Sequence, residues 1–150
     1  ANPTTFITYN YGNYDWYYTG NEVSDNTRWT TSDKAKSIYD PCPAGWRVPD
    51  GGKDGVWSKA LGTSSIFYDW DFDDVNLGVN WWGNVWYPAS GYRSKDDGSL
   101  GDVGNCGNYW SASPADPKAY YMWFHDGSCA IYPWRSYHRA SGLSVRCVKE

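Results

Sequence analysis

The chain has 150 residues, a formal net charge of −4 and a mean hydropathy of −0.72, with 11 Trp and 14 Tyr. Its length fits one domain with a core of its own. Lys and Arg are scattered rather than gathered into the basic stripe of a nucleic-acid binder, and no apolar run approaches the ~20 residues of a membrane span.

The N-terminal ANPTTFITYN lacks the charged and apolar regions of a signal peptide, so either a leader has been removed or the sequence is part of a longer chain. Residues 2–26 are polar and aperiodic and read as an irregular lead-in that packs through Trp16 and Tyr17. TSDKAKSIY (31–39) is the best helix candidate, capped by Thr31 or Ser32 and stopped by Pro41. DPCPAGWRVP (40–49) holds three prolines and Gly45, which predicts a rigid extended turn and a strand starting at Trp46-Arg47-Val48. Cys42 and Trp46 are expected to anchor that turn in the core. DGVWSKAL (54–61) predicts a second short helix.

In DWDFDD, Asp69, Asp71 and Asp73 alternate as in a calcium loop, but the Gly and terminal Glu of that pattern are missing. A solvated acidic face with Trp70 and Phe72 turned inward is the better reading. GNYWSASP (107–114) places Ser111 and Ser113 outside any GxSxG context, and Trp110 reads as a packing residue. LSVRCV (143–148) predicts a last strand with Leu143, Val145 and Cys147 on one face.

The stretch AYYMWFHDGSCAIYPWRSYHR (119–139) carries seven aromatic residues in twenty-one, and both histidines. YMWF alternates, with Met122 and Phe124 on one face and Tyr121 and Trp123 on the other; DGS is a hairpin turn signal and CAIY the return strand. Asp126 could orient His125 as a general base, but neighbours on a strand point to opposite faces and do not normally pair. Arg135, Arg139 and the histidines interrupt any buried pattern, which favours a binding surface over a core. Trp123 and Trp134 are the expected anchors. Tyr121, Tyr132 and Tyr137 are amphipathic contacts, and Arg135, His125 and His138 supply polar specificity. Cys129, Ile131 and, at the rim, Tyr109 complete the candidate ligand-binding set.

Four cysteines, Cys42, Cys106, Cys129 and Cys147, show no zinc spacing; their even number points to an oxidising compartment, and three pairings are open.

Four segments taken together, YDPCPAGWRVP (39–49), WYPASGYR (86–93), GNYWSAS (107–113) and SVRCVKE (144–150), resemble the Fibrobacter major paralogous domain family of gut Bacteroidetes and their phages. The resemblance spans most of the chain. It implies an α+β, C-type-lectin-like fold with short antiparallel strands, two short helices and much irregular loop. Residues 1–150 would then be one domain, with 1–30 packed on it as the lead-in. It also implies a Cys42–Cys147 disulfide, leaving Cys106 and Cys129 open. The chain is further similar to variable proteins of diversity-generating retroelements, in which a rewritten surface precedes an unchanging last strand; here 120–138 precedes GLSVRCVKE.

The EPN or QPD and WND triplets of calcium-dependent lectins are absent, and no cysteine pair stands close in sequence as formylglycine-generating oxidases would need. The expected function is therefore non-enzymatic, without metal or cofactor. It is binding of a protein or carbohydrate ligand on a cell surface, by an extracellular, cell-surface or virion protein with no nucleic-acid partner and no membrane insertion by this domain. The alternatives are an enzyme related to formylglycine-generating or carbohydrate-active proteins, with carboxylates from Asp69–Asp74 or Asp126, and a structural fimbrial or phage-tail module.

Overall fold

A computed structural model describes residues 6, 8, 15–16, 23–30, 33, 35–62, 71–81, 85–128 and 130–150. Short strands dominate: β1 (Trp46–Arg47), β2 (Phe72–Asp73), β3 (Gly78–Trp81), β4 (Val85–Pro88), β5 (Tyr92–Arg93), β6 (Leu100–Gly101), β7 (Cys106–Ala115), β8 (Lys118–His125), β9 (Ala130–Tyr137), β10 (Ser144–Val145) and β11 (Val148–Lys149). One short α-helix, α1, covers Val56–Leu61 and ends on Gly62 in the left-handed conformation, φ 66°. The described residues are thus mostly β-strand in several small sheets with very little helix, which is compatible with the expected α+β class. No helix among the described residues is long and apolar enough to cross a membrane.

The central sheet has the order β10-β7-β8-β9. β7, β8 and β9 form an antiparallel meander, and β10 joins the far edge of β7 in parallel, Val145 opposite Trp110. Alternation along these strands builds two apolar layers. On one side Tyr109, Met122, Phe124 and Ile131 meet Trp57 and Leu61 of α1 and Val79, Trp81 and Tyr87 of the β2-β3-β4 sheet. Gly107 pairs with Phe124 across the strands; a Cβ there would lie 2.1 Å from the Phe124 ring, so only glycine fits this point of β7. On the other side Trp110, Ala119 and Tyr121 pack with Trp16, Trp29, Leu143 and Val145.

Several expectations need correction. The described residues of 31–39 form no helix: Thr30 bridges Lys36, and the Ser37 hydroxyl donates to the Arg28 carbonyl and accepts from the Tyr39 N–H at 3.1 Å. Such local side-chain bonds compete with a helical ladder. The expected second helix, at 54–61, is α1, and the turn signal at DGS forms a 3₁₀ turn, Asp126–Ser128, between β8 and β9. The last strand divides at Arg146–Cys147, because β10 pairs with β7 whereas β11 pairs with β1. Trp46 is 44% exposed and is no core anchor; the buried residues of that turn are Asp40, Cys42, Val48 and Pro49. The turn is organised by the buried Asp40 carboxylate, which accepts from Cys42 N (2.8 Å), Val48 N (2.9 Å) and Lys36 Nζ (2.6 Å).

Cys42 and Cys147 form a disulfide across a separation of 105 residues, against Val48 and Ala112. A disulfide fits an oxidising compartment. Cys106 is a free, buried thiol, and Cys129 lies outside the described residues. In the lead-in, Trp16 stacks on Trp29 with centroids 4.3 Å apart; Tyr17 lies outside the described residues. Arg139 does not interrupt burial but is itself only 1% exposed, donating to Asp15, Asn26 and the carbonyls of Asp25 and Lys118.

Candidate ligand-binding surface

On the side of the central sheet opposite α1, Trp16, Trp29 and Leu143 pack against Trp110, Ala119 and Tyr121, and the side chains farther along β8 and β9 are half-buried or exposed among the described residues. Cross-strand register decides which side chains stand there. Trp123 faces Tyr132, Tyr121 faces Arg135, and Ala119 faces Tyr137. The Trp123 and Tyr132 rings lie 4.9 Å apart, and the Arg135 guanidinium sits over both, 4.8 Å and 5.0 Å from their centroids. His125 lies against Trp123 at 5.9 Å, and Tyr137 against His138 at 5.9 Å. Trp123, His125, Tyr132 and His138 are half-buried; Arg135 and Tyr137 are exposed. Cation–π stacking fixes the guanidinium without consuming its N–H donors, and the aromatic pair is rigid.

Beside this patch lies a cavity of about 210 Å³ bounded by Tyr92, Asp102, Asn108, Tyr121, Trp123 and Tyr137. Its polar groups come from separate elements: Tyr92 from β5, Asn108 from β7, and Asp102 from the loop between β6 and β7, with φ 52°. Asn108 is buried and spends one N–H on the Gly91 carbonyl at 3.2 Å. Burial pushes the Tyr121 hydroxyl up to about 12 and raises that of Tyr92, so both remain neutral donors at physiological pH. Burial, then Lys118 and Lys95, lowers the His138 pKa, leaving that ring uncharged near pH 7. Flat aromatic faces, one guanidinium fork and a few fixed hydroxyl, amide and carboxylate groups suit a polar ligand with apolar faces.

Among the described residues, Cys106, Ser111 and Ser113 are held in other roles. Burial pushes the Cys106 thiol up to about 11, away from the thiolate. Ser111 is buried and donates to the Tyr120 carbonyl at 2.8 Å, while Ser113 Oγ accepts from Gly51 N at 3.0 Å. His125 and Asp126 do come together, against the expectation from strand alternation: Nδ1 lies 2.9 Å from Asp126 Oδ1. β8 ends at His125 and the 3₁₀ turn begins at Asp126, so alternation no longer applies, and both side chains face the Gly127 N–H. Asp73 caps its own turn by accepting from Val75 N, Asn76 N and Asn76 Nδ2; Asp71 is exposed, and Asp69 and Trp70 lie outside the described residues.

Of the expected contact residues, Trp123, His125, Tyr132, Arg135, Tyr137 and His138 are brought together. Tyr109 and Ile131 are corrected to core positions, 3% and 2% exposed, with the Tyr109 hydroxyl donating to the Pro88 carbonyl at 2.6 Å. Tyr121 is 7% exposed and forms a cavity wall rather than an outward contact. Trp134 is not part of the Trp123 patch. A bulge sets two residues, Pro133 and Trp134, opposite Met122 alone, and Trp134 meets Tyr120 edge-on at 5.5 Å. Tyr120 borders a different cavity, of about 410 Å³, with Gly51, Gly52 and Ser113. Tyr92, Asp102 and Asn108 carried no motif that would have found them. Comparison of the chain with protein-family models, curated proteins and solved structures gives no match.

Proposed function

We propose that this chain is the ligand-binding domain of a secreted, surface or phage protein, and that it takes a protein or glycan ligand on the Trp123–Tyr132–Arg135 face without catalysing a reaction on it. The carrying observation is the Arg135 guanidinium held over two aromatic rings beside a polar cavity. Tyr, Trp and Arg on a rigid scaffold are the groups that dominate contact energy, because little rotamer entropy remains to be lost. The cation reaches a carboxylate or amide, while the rings take the C–H face of a sugar or an apolar side chain.

The finer reading is a C-type-lectin-like domain of the Fibrobacter major paralogous kind, with this face diversified by a retroelement. Its support is the shared segments, the Cys42–Cys147 link and the position of the aromatic strands just before the C-terminal segment. Diversification predicts an alternating pattern of codon substitution across a source population. Codons 123, 125, 132, 135 and 137 would vary, whereas 122, 124, 131 and 143–149 would not; variation spread evenly over both sets would reject it. Binding is tested by screening the protein against glycan arrays and extracellular protein libraries. Genuine ligands lose about tenfold or more in affinity with W123A and with R135A, as expected of central contacts. Ligands indifferent to both variants would overturn the assignment.

A further inference from the structure

A separate cavity lies on the opposite side of the central sheet from the face just described. This cavity of about 140 Å³ lies between α1 and the β3–β4 hairpin, walled by Val56, Trp57, Trp81, Val85 and Tyr87, with Arg146 at its edge. Apolar cavities of about 150 Å³ take up a benzene-sized molecule and hold water poorly, because the walls offer it no partners. The Trp57 indole N–H, the obvious polar atom of the wall, is spent on the Tyr87 hydroxyl at 3.2 Å. The cavity is half open to solvent, and its mostly apolar walls favour an apolar ring.

Arg146 adds the second half of the recognition. Its guanidinium stacks 4.8 Å from the Tyr87 centroid and its Nη1 donates to the Trp86 carbonyl at 2.7 Å. Among the described residues it meets no carboxylate. A guanidinium has five N–H donors, and the remaining ones are not committed to an acid. The half-buried cation is held in place by its backbone, which sits between β10 and β11 and next to the Cys42–Cys147 disulfide. A cationic guest would be repelled, and a neutral one would leave the guanidinium without its strongest acceptor.

We infer that this cavity binds a small monocarboxylate bearing one aromatic ring, with the ring between Trp57 and Trp81 and the carboxylate on Arg146. The probe is 3-phenylpropionate, titrated into the ¹⁵N-labelled protein while the indole N–H signals are followed, with 3-phenylpropionamide as the uncharged isostere. Saturable shifts of the Trp57 and Trp81 signals in the low millimolar range are expected, with the amide about tenfold weaker. Arg146→Gln should erase the difference between acid and amide, and Ala60→Phe, at the cavity edge, should weaken both. The acid–amide comparison on the unaltered protein stands even if either variant fails to fold. Equal affinity for acid and amide, shifts at Trp123 instead of Trp57, or no saturable shift at all would each overturn the inference.

Discussion

Replacing Arg139 by alanine should be among the most destabilising single changes in this chain. The side chain is fully buried; Nε donates to the Lys118 carbonyl at 3.0 Å, and Nη1 donates to Asp15 Oδ1 and to the Asp25 carbonyl, both at 3.2 Å. Nη2 donates to Asn26 Oδ1, and the guanidinium covers Trp16 at 5.0 Å. One group thus ties the lead-in to the end of β9. Removing it takes the guanidinium away from the Asp15 carboxylate, only 2% exposed, which still accepts from the N–H groups of Trp16 (2.9 Å) and Asp25 (2.7 Å). Breaking a buried pair from one side costs about 3–5 kcal/mol, or roughly 6–20 °C in melting temperature for a domain of this size. Urea unfolding of R139A, D15N and the double variant measures the loss and the coupling, expected at about 1–3 kcal/mol. Hydrogen exchange should rise at 24–30 before it rises in the central sheet. A loss below about 1 kcal/mol, set against the 3–5 expected for a buried pair, or unchanged exchange at 24–30, would refute the role given to Arg139.

Removing the disulfide as C42A/C147A should lower stability by up to about 4–5 kcal/mol, the chain-entropy value for a loop near 100 residues, and raise the urea m-value as the unfolded chain expands; the separation here is 105. Gly107→Ala should cost about 1–3 kcal/mol or more by overpacking against Phe124, and F124L in that background should recover part of it in the same unfolding assay. Burial pushes the Tyr109 and Tyr121 hydroxyls from 10.0 up to about 12. A folded pKa above the unfolded one means that their stabilising contribution is whole below pH 10 and is lost as pH rises towards 12. Phenolate absorbance should therefore show a late-titrating component to which Tyr109 and Tyr121 contribute, with unfolding in that window, and Y109F should reduce it by one tyrosine.

The hairpin of β8 and β9, the short helix at 56–61 and the alternation of Met122 and Phe124 were legible because each rests on local period and turn chemistry. The disulfide pairing came from the resemblance and not from spacing. The candidate face was half legible. Alternation placed Trp123 outward, but no local rule reveals that Trp16, Trp29 and Leu143 pack against the cluster of Trp110, Ala119 and Tyr121, since they arrive from distant parts of the chain. Trp134 was misplaced because a one-residue bulge shifts it away from Trp123, and a bulge leaves no mark in a period-two pattern. Arg139 illustrates the same limit: its charge argues for exposure until long-range acceptors at Asp15, Asp25 and Asn26 are in place. Asn108, a small polar side chain in a strand, gave no sign that it borders a cavity.

The most direct test of the binding face is oxidative footprinting of Trp and Tyr side chains, with and without a ligand recovered by the array or library screen. The rates of Trp123, Tyr132 and Tyr137 should fall on binding, while those of Trp134 and Tyr120, on the far side of the bulge, stay unchanged. Protection of Trp134 and Tyr120 with Trp123 left reactive would place the ligand on the wrong side of the sheet and contradict the account.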